Sequence, residues 1–134
     1  MKKLLPIILV AVAASACDVY VVEPRYDQRD VLVGHYEVEE YSETYDDLLY
    51  YDIRISKASG HDEIWMNNFY AADISVLAYV EGDRITIPYQ KVSGYEIEGV
   101  GTVHHGDLHL SYTVVDLYDH HAPTDYCQAD AWRE

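Results

Sequence analysis

The sequence predicts an all-β fold, an eight-stranded antiparallel meander that closes into a small barrel, with a two-sheet β-sandwich as the alternative. Three observations carry this. Beyond residue 33, short segments of alternating apolar and polar residues recur at nearly regular spacing, divided by Gly, Asp, Asn and Ser, with no helical period. Fourteen tyrosines suit half-buried pleated surfaces, apolar in the ring and wet at the hydroxyl. Tyr95 to Val115 reads as a hairpin that fixes which face is core. With a two-residue turn at Gly106-Asp107, His105 opposes Leu108, His104 opposes His109 and Val103 opposes Leu110. Tyr95, Ile97, Gly99, Gly101 and Val103 then share an apolar face with Leu108, Leu110, Tyr112 and Val114, while His104, His109 and their neighbours share a polar one. Gly99 and Gly101 then fall opposite Val114 and Tyr112, which leaves space for the Tyr112 ring and lets the strand bend.

The chain begins with Lys2, Lys3, an apolar run from Leu4 to Ala14 and small residues Ala14, Ser15 and Ala16 before Cys17. Residues 1–16 read as an export signal, too short to span a membrane. Small residues directly before a cysteine resemble a bacterial lipobox, with Ala14 where Leu is usual, and that resemblance makes Cys17 the expected site of acylation and membrane attachment. Ala14-Ser15-Ala16 also satisfies ordinary signal peptidase. In that case the protein is soluble and secreted or periplasmic, and Cys17 is free to pair with Cys127. Removing the leader leaves seven basic residues against 24 acidic ones, a formal charge of −17, and 118 residues, enough for one core. Such a charge repels phosphate backbones and anionic head groups, which excludes nucleic acid as an expected partner and leaves the acyl chains to make the membrane contact. The acidity serves solubility first, and a basic partner or divalent cations second.

Residues 17–33 read as lipidated cysteine and tether, with room for a short strand at Val19 to Val22. A single domain follows over 34–134. Gly34 opens the first strand, with Tyr36 and Val38 on one face and Glu37 and Glu39 on the other. After a polar turn from Ser42 to Asp47, the second strand runs from Leu48 to Ser56, with Leu49, Tyr51, Ile53 and Ile55 inward. Ile64 to Phe69 is the third strand, Ile74 to Val80 the fourth and Arg84 to Val92 the fifth, in which Pro88 marks an edge, a strand end or a bulge. The hairpin supplies the sixth and seventh strands. Asp125 to Trp132 is the eighth, after a loop with Asp119, His120, His121 and Pro123.

The pattern resembles a group of small uncharacterised Bacteroidota lipoproteins with a lipocalin-like β-barrel. The resemblance rests on the lipobox ending in Cys17, on Gly34, Tyr36, Val38 and Glu40, on Asn68 and Phe69, on Ile85, Ile87, Pro88 and Gln90, on Gly99 and Gly101 before Leu110 and Tyr112, and on the late Cys127. It implies a fold and a location in the cell envelope, and no reaction. In the pattern it resembles, some members carry a second cysteine soon after the first strand as a partner for the late one. Here that stretch reads Tyr41, Ser42, Glu43, Thr44, so Cys127 lacks that partner if Cys17 is acylated.

Candidate chemistry is sparse. His104 and His109, opposed under the expected register, are close enough to share Zn²⁺ or Cu²⁺, with His105, His120, His121, Asp107 or Asp119 as further ligands. Read blandly, the same histidines are solvated residues of strand ends and loops. Glu37, Glu39, Glu40, Asp46 and Asp47 read as a solvated outer face, and Cys127 as a small buried hydrophobe. No Gly-x-Ser-x-Gly, Ser-x-x-Lys, calcium-loop or phosphate-cradling motif occurs. Tyr50 and Tyr79, on the outer side, offer an aromatic patch to a carbohydrate or protein partner. The expectation is therefore a non-enzymatic, lipid-anchored binding or structural module of the envelope. Its alternatives are a carrier of a small apolar or aromatic ligand inside the barrel and a histidine-based metal-binding protein.

Overall fold

The computed structural model describes residues 26–134. Eight antiparallel strands, β1 (Gly34–Ser42), β2 (Asp47–Lys57), β3 (Glu63–Phe69), β4 (Ile74–Glu81), β5 (Arg84–Val92), β6 (Tyr95–His104), β7 (Asp107–Asp116) and β8 (Asp125–Arg133), follow one another around a closed barrel. Closure comes from β1 pairing with β8, from Tyr36 opposite Arg133 to Ser42 opposite Cys127. Alternation decides what lies inside: Tyr36 and Val38, Ile53 and Ile55, Ile64 and Met66, Val76 and Ala78, Ile85 and Ile87, and Leu108 and Leu110 are all buried in one core. Phe69 and Tyr112 pack within it as a tilted pair with ring centroids 4.6 Å apart. Pro88 falls in a break of register between Ile87 and Gln90, where a missing N–H disturbs no ladder.

The hairpin of β6 and β7 differs from expectation by two residues. The turn is His105-Gly106, with φ of 51° and 83°, so His104 opposes Asp107, Val103 opposes Leu108 and Thr102 opposes His109. A turn with both central residues at positive φ matches the strand twist and favours Gly in its second position, and His tolerates the left-handed region better than most residues. A slip of two preserves side-chain parity, so the apolar face is the expected one. Gly99 now lies opposite Tyr112 and Gly101 opposite Leu110. A β-carbon at Gly99 would overlap the Ser111 carbonyl and the Tyr112 side chain, so only glycine lets β6 approach β7 there.

Part of the expected tether is packed structure. Gln28–Val31 forms a 3₁₀ helix whose N-cap, Asp27, accepts from the Arg29 amide. It closes one end of the barrel. Arg29 grips Asp27 with two parallel hydrogen bonds of 3.0 and 2.9 Å and donates to the carbonyls of Ala58, Gly60 and Glu63. Gln28 joins the helix to the β4–β5 turn through Val80 and Gly82. Leu32 inserts beneath, 1% exposed, and its carbonyl accepts from the Tyr36 hydroxyl. Arg133 lies over the Tyr36 ring and donates to the Val31 carbonyl. The expected short strand at Val19 to Val22, like Cys17, lies outside the described residues.

Candidate functional site

The opposite end, formed by the turns β1–β2, β3–β4 and β5–β6 and the loop β7–β8, has no such plug among the described residues. Here parity carries two acids inward. The inner series of β1 is Tyr36, Val38, Glu40, Ser42, and that of β8 is Asp125, Cys127, Ala129, Ala131. Glu40 is 4% exposed, and Asp125 is equally buried. Tyr51 of β2 donates its hydroxyl to Glu40 Oε1 at 2.9 Å, and that hydroxyl lies 3.4 Å from the hydroxyl of Tyr112. Asp125 accepts from Ser42 on one oxygen and from Tyr70 on the other.

Two local devices hold this arrangement. The β1–β2 turn is pinned to β8 by Thr44, which donates to the Thr124 carbonyl at 2.8 Å and accepts from the Tyr126 amide at 3.0 Å. Tyr70 and Ala71 occupy a tight turn with φ of 60° and 52°, closed by the Ala72 amide on the Phe69 carbonyl. A tyrosine in the left-handed region is unfavourable by itself. It is kept there by the bond to Asp125 and by an edge-to-face contact with Tyr95, ring centroids 5.8 Å apart.

Burial dominates the electrostatics. It pushes the Glu40 carboxyl up to about 7, against the Tyr51 hydrogen bond and with help from the Asp125 charge. Burial likewise raises the Tyr70 hydroxyl and the Cys127 thiol, whose neighbours Glu40 and Asp125 act in the same direction, so the sulfur is a protonated, poor nucleophile. Among the described residues no Lys, Arg or His forms an ion pair with Glu40 or Asp125. A cavity of about 280 Å³ opens above them, bordered also by Ser42, Tyr45, Leu49 and Tyr70. Carboxyl oxygens, hydroxyls and ring faces around an unneutralised pocket suit a positively charged group.

The sequence-derived candidates fall elsewhere. His104 and His105 stand at the β6–β7 turn with rings 4.2 Å apart, and His109 bonds Asp130 on the outer surface through Nδ1 at 2.7 Å, all toward the plugged end. His120 and His121 are exposed in the β7–β8 loop at the open end, as is Asp119, so the barrel's length separates them from the first three. The register slip removes the opposed His104–His109 pair. Among the described residues the group of three potential ligands within 4.8 Å of one another is Glu37, Asp52 and Glu134, exposed and without histidine. Tyr50 and Tyr79 are both exposed, but the first lies near the open end and the second near the closed one. Cys127 is buried on β8 opposite Ser42, so the stretch from which the resemblance expects a cysteine presents a hydroxyl at that position.

Sequence reasoning missed Glu40, Tyr51, Tyr70 and Asp125 as a group. The signal was parity: Glu40 is two residues beyond Val38, on the inward series, although its neighbours Glu37 and Glu39 face out. No family model matches the sequence, and no curated protein matches it.

Proposed function

We propose that the protein is a non-enzymatic binding module of the cell envelope, held by acyl chains on Cys17, that takes a positively charged organic group at the open end of its barrel. One observation carries the binding reading: two buried carboxyls border a cavity and no cation of the described chain neutralises them. A buried charge without a partner is unfavourable by several kcal/mol, on the order of the penalty that removal of one member of a buried ion pair exposes. A ligand that supplies the missing charge removes that penalty on binding.

Agmatine, cadaverine and choline sample guanidinium, primary and quaternary ammonium groups, and titration calorimetry of each is the test. The groups facing Glu40 are Tyr51 on β2, Tyr112 on β7, Asp125 and Cys127 on β8, and Tyr70 in the β3–β4 turn. None of them is cationic, so binding is expected to tighten as pH rises through about 7, where Glu40 loses its proton, and to weaken strongly in Glu40→Gln. Absence of heat with all three, or binding indifferent to Glu40→Gln, overturns the reading. Intact mass of protein from its native membrane fraction tests the anchor: a chain beginning at Cys17 with added acyl mass supports it, and an unmodified chain two hydrogens lighter before reduction assigns a soluble, disulfide-closed protein.

A further inference from the structure

The wall beside the cavity is incomplete. β1 pairs with β2 over its whole length, from Gly34 opposite Ile55 to Ser42 opposite Asp47. β3 pairs with β2 only from Arg54 opposite Asn67 to Lys57 opposite Ile64. Residues 47–53 of β2 therefore have a partner strand on one side only, among the described residues. The free side is identifiable. Side-chain amides of Asn67 and Asn68 donate to the carbonyls of Arg54 and Asp52 at 2.9 and 2.7 Å, so the main-chain groups of even-numbered residues face β3. Leu48 and Tyr50 continue that series past the point where β3 turns away. The Leu48 amide is taken by its neighbour Asp47, and the Leu48 carbonyl and both main-chain groups of Tyr50 have no partner strand among the described residues.

This edge is unlike a protected one. Leu48, Leu49 and Tyr50 are 45%, 43% and 67% exposed in succession, with no Lys or Pro among them. Exposed, apolar strand edges are templates for another strand. The cavity lies directly below, with Asp47 and Leu49 on one lip, Tyr70 and Ala71 on the other, and Glu40 and Asp125 at its base. At about 280 Å³ it is smaller than most small-molecule pockets, and it suits one long side chain.

From this juxtaposition we infer that the open end captures an extended, basic segment of a partner protein by strand addition. The segment's main chain pairs with Leu48 and Tyr50, and a Lys or Arg opposite the inward-facing Leu49 or Tyr51 enters the cavity to meet Glu40 and Asp125. This rests on the cation reading above and names the bearer of the charge. Charge argues for a foreign basic strand over a second copy of this chain. Asp46, Asp47 and Asp52 flank the edge, and two copies would bring these acids together on molecules already strongly negative.

A displayed library of random heptapeptides, selected on the purified full-length protein, tests the inference. Selected sequences are expected to carry Lys or Arg at one fixed position with strand-forming residues around it. A synthetic peptide of that sequence should slow hydrogen exchange at the Tyr50 amide and lose about tenfold or more in affinity with Tyr50→Pro, the loss expected for one or two main-chain hydrogen bonds. Proline fits there because that N–H does not serve the β1 ladder. Glu40→Gln should weaken the same peptide, whereas agmatine binding should be unaffected by Tyr50→Pro. No selected binder, no basic preference, or affinity indifferent to Tyr50→Pro overturns strand addition. If agmatine still binds in a Glu40-dependent way, the cavity reading survives that failure. A homodimer in sedimentation that Tyr50→Pro dissociates assigns the edge to a second copy and also overturns it.

Discussion

The two ends of the barrel bury charge in opposite ways. At the plugged end Asp27 meets Arg29 and Lys57, and those cations hold its carboxyl far below the usual carboxylate range. Arg29 then satisfies three carbonyls of the β2–β3 turn region. At the open end Glu40 and Asp125 are more deeply buried than Asp27, yet hydroxyls are their partners. The first arrangement is complete within the chain. The second leaves two buried carboxyls without a cation among the described residues, and that is the difference on which the proposed binding role rests.

The largest test of this contrast lies at the plug. Leu32→Ala removes a fully buried side chain beneath the 3₁₀ helix and should destabilise by about 3 kcal/mol in urea unfolding, while leaving agmatine binding intact. Glu40→Gln should do the reverse. A carboxyl whose folded value is raised to about 7 is favoured by folding in its protonated form, so folding takes up protons between its unfolded value and pH 7, and stability falls as pH rises through that window. The variant should therefore be more stable than the parent by about 3 kcal/mol at pH 8 and equal to it near pH 4. If the plug variant lost binding, or the mouth variant destabilised at pH 8, the division between ends would collapse.

Tyr70→Phe sharpens the comparison within the mouth. It removes one donor to Asp125 and one of the two restraints on the left-handed residue, keeping the ring contact with Tyr95, and should destabilise by about 1 kcal/mol in thermal unfolding. His109→Ala gives the baseline. Its bond to Asp130 lies on the outer wall, so melting should move by less than the equivalent of about 0.5 kcal/mol.

Strand order, strand limits and faces were legible because a period of two survives any local detail. The inward series Leu49, Tyr51, Ile53, Ile55 stands in the barrel as the sequence predicts, with Leu49 at the rim. Register was less legible, since it depended on whether Gly106 came first or second in its turn. The plug was hidden because Asp27 to Val31 has a charge pattern that reads as linker, and its fit depends on carbonyls from residues 58 to 63. The mouth was hidden for another reason. Glu40 sits in a run of acids that looks uniformly solvated, and Asp125 follows a loop; only closure of β1 on β8 brings them to one cavity.

With Cys17 as the proposed anchor, the position of the plug would also orient the molecule. The described chain starts at Tyr26, against the closed end, and only eight residues, 18–25, separate it from Cys17. At full stretch the nine residue-to-residue steps from Cys17 to Tyr26 span about 30 Å, comparable with β2 itself at about 35 Å for its 11 residues. A molecule moored by Cys17 would therefore stand on its plug like a goblet on a short stem, its rim turned from the lipid toward whatever passes in the aqueous space, where a soluble chain would tumble with no preferred direction at all.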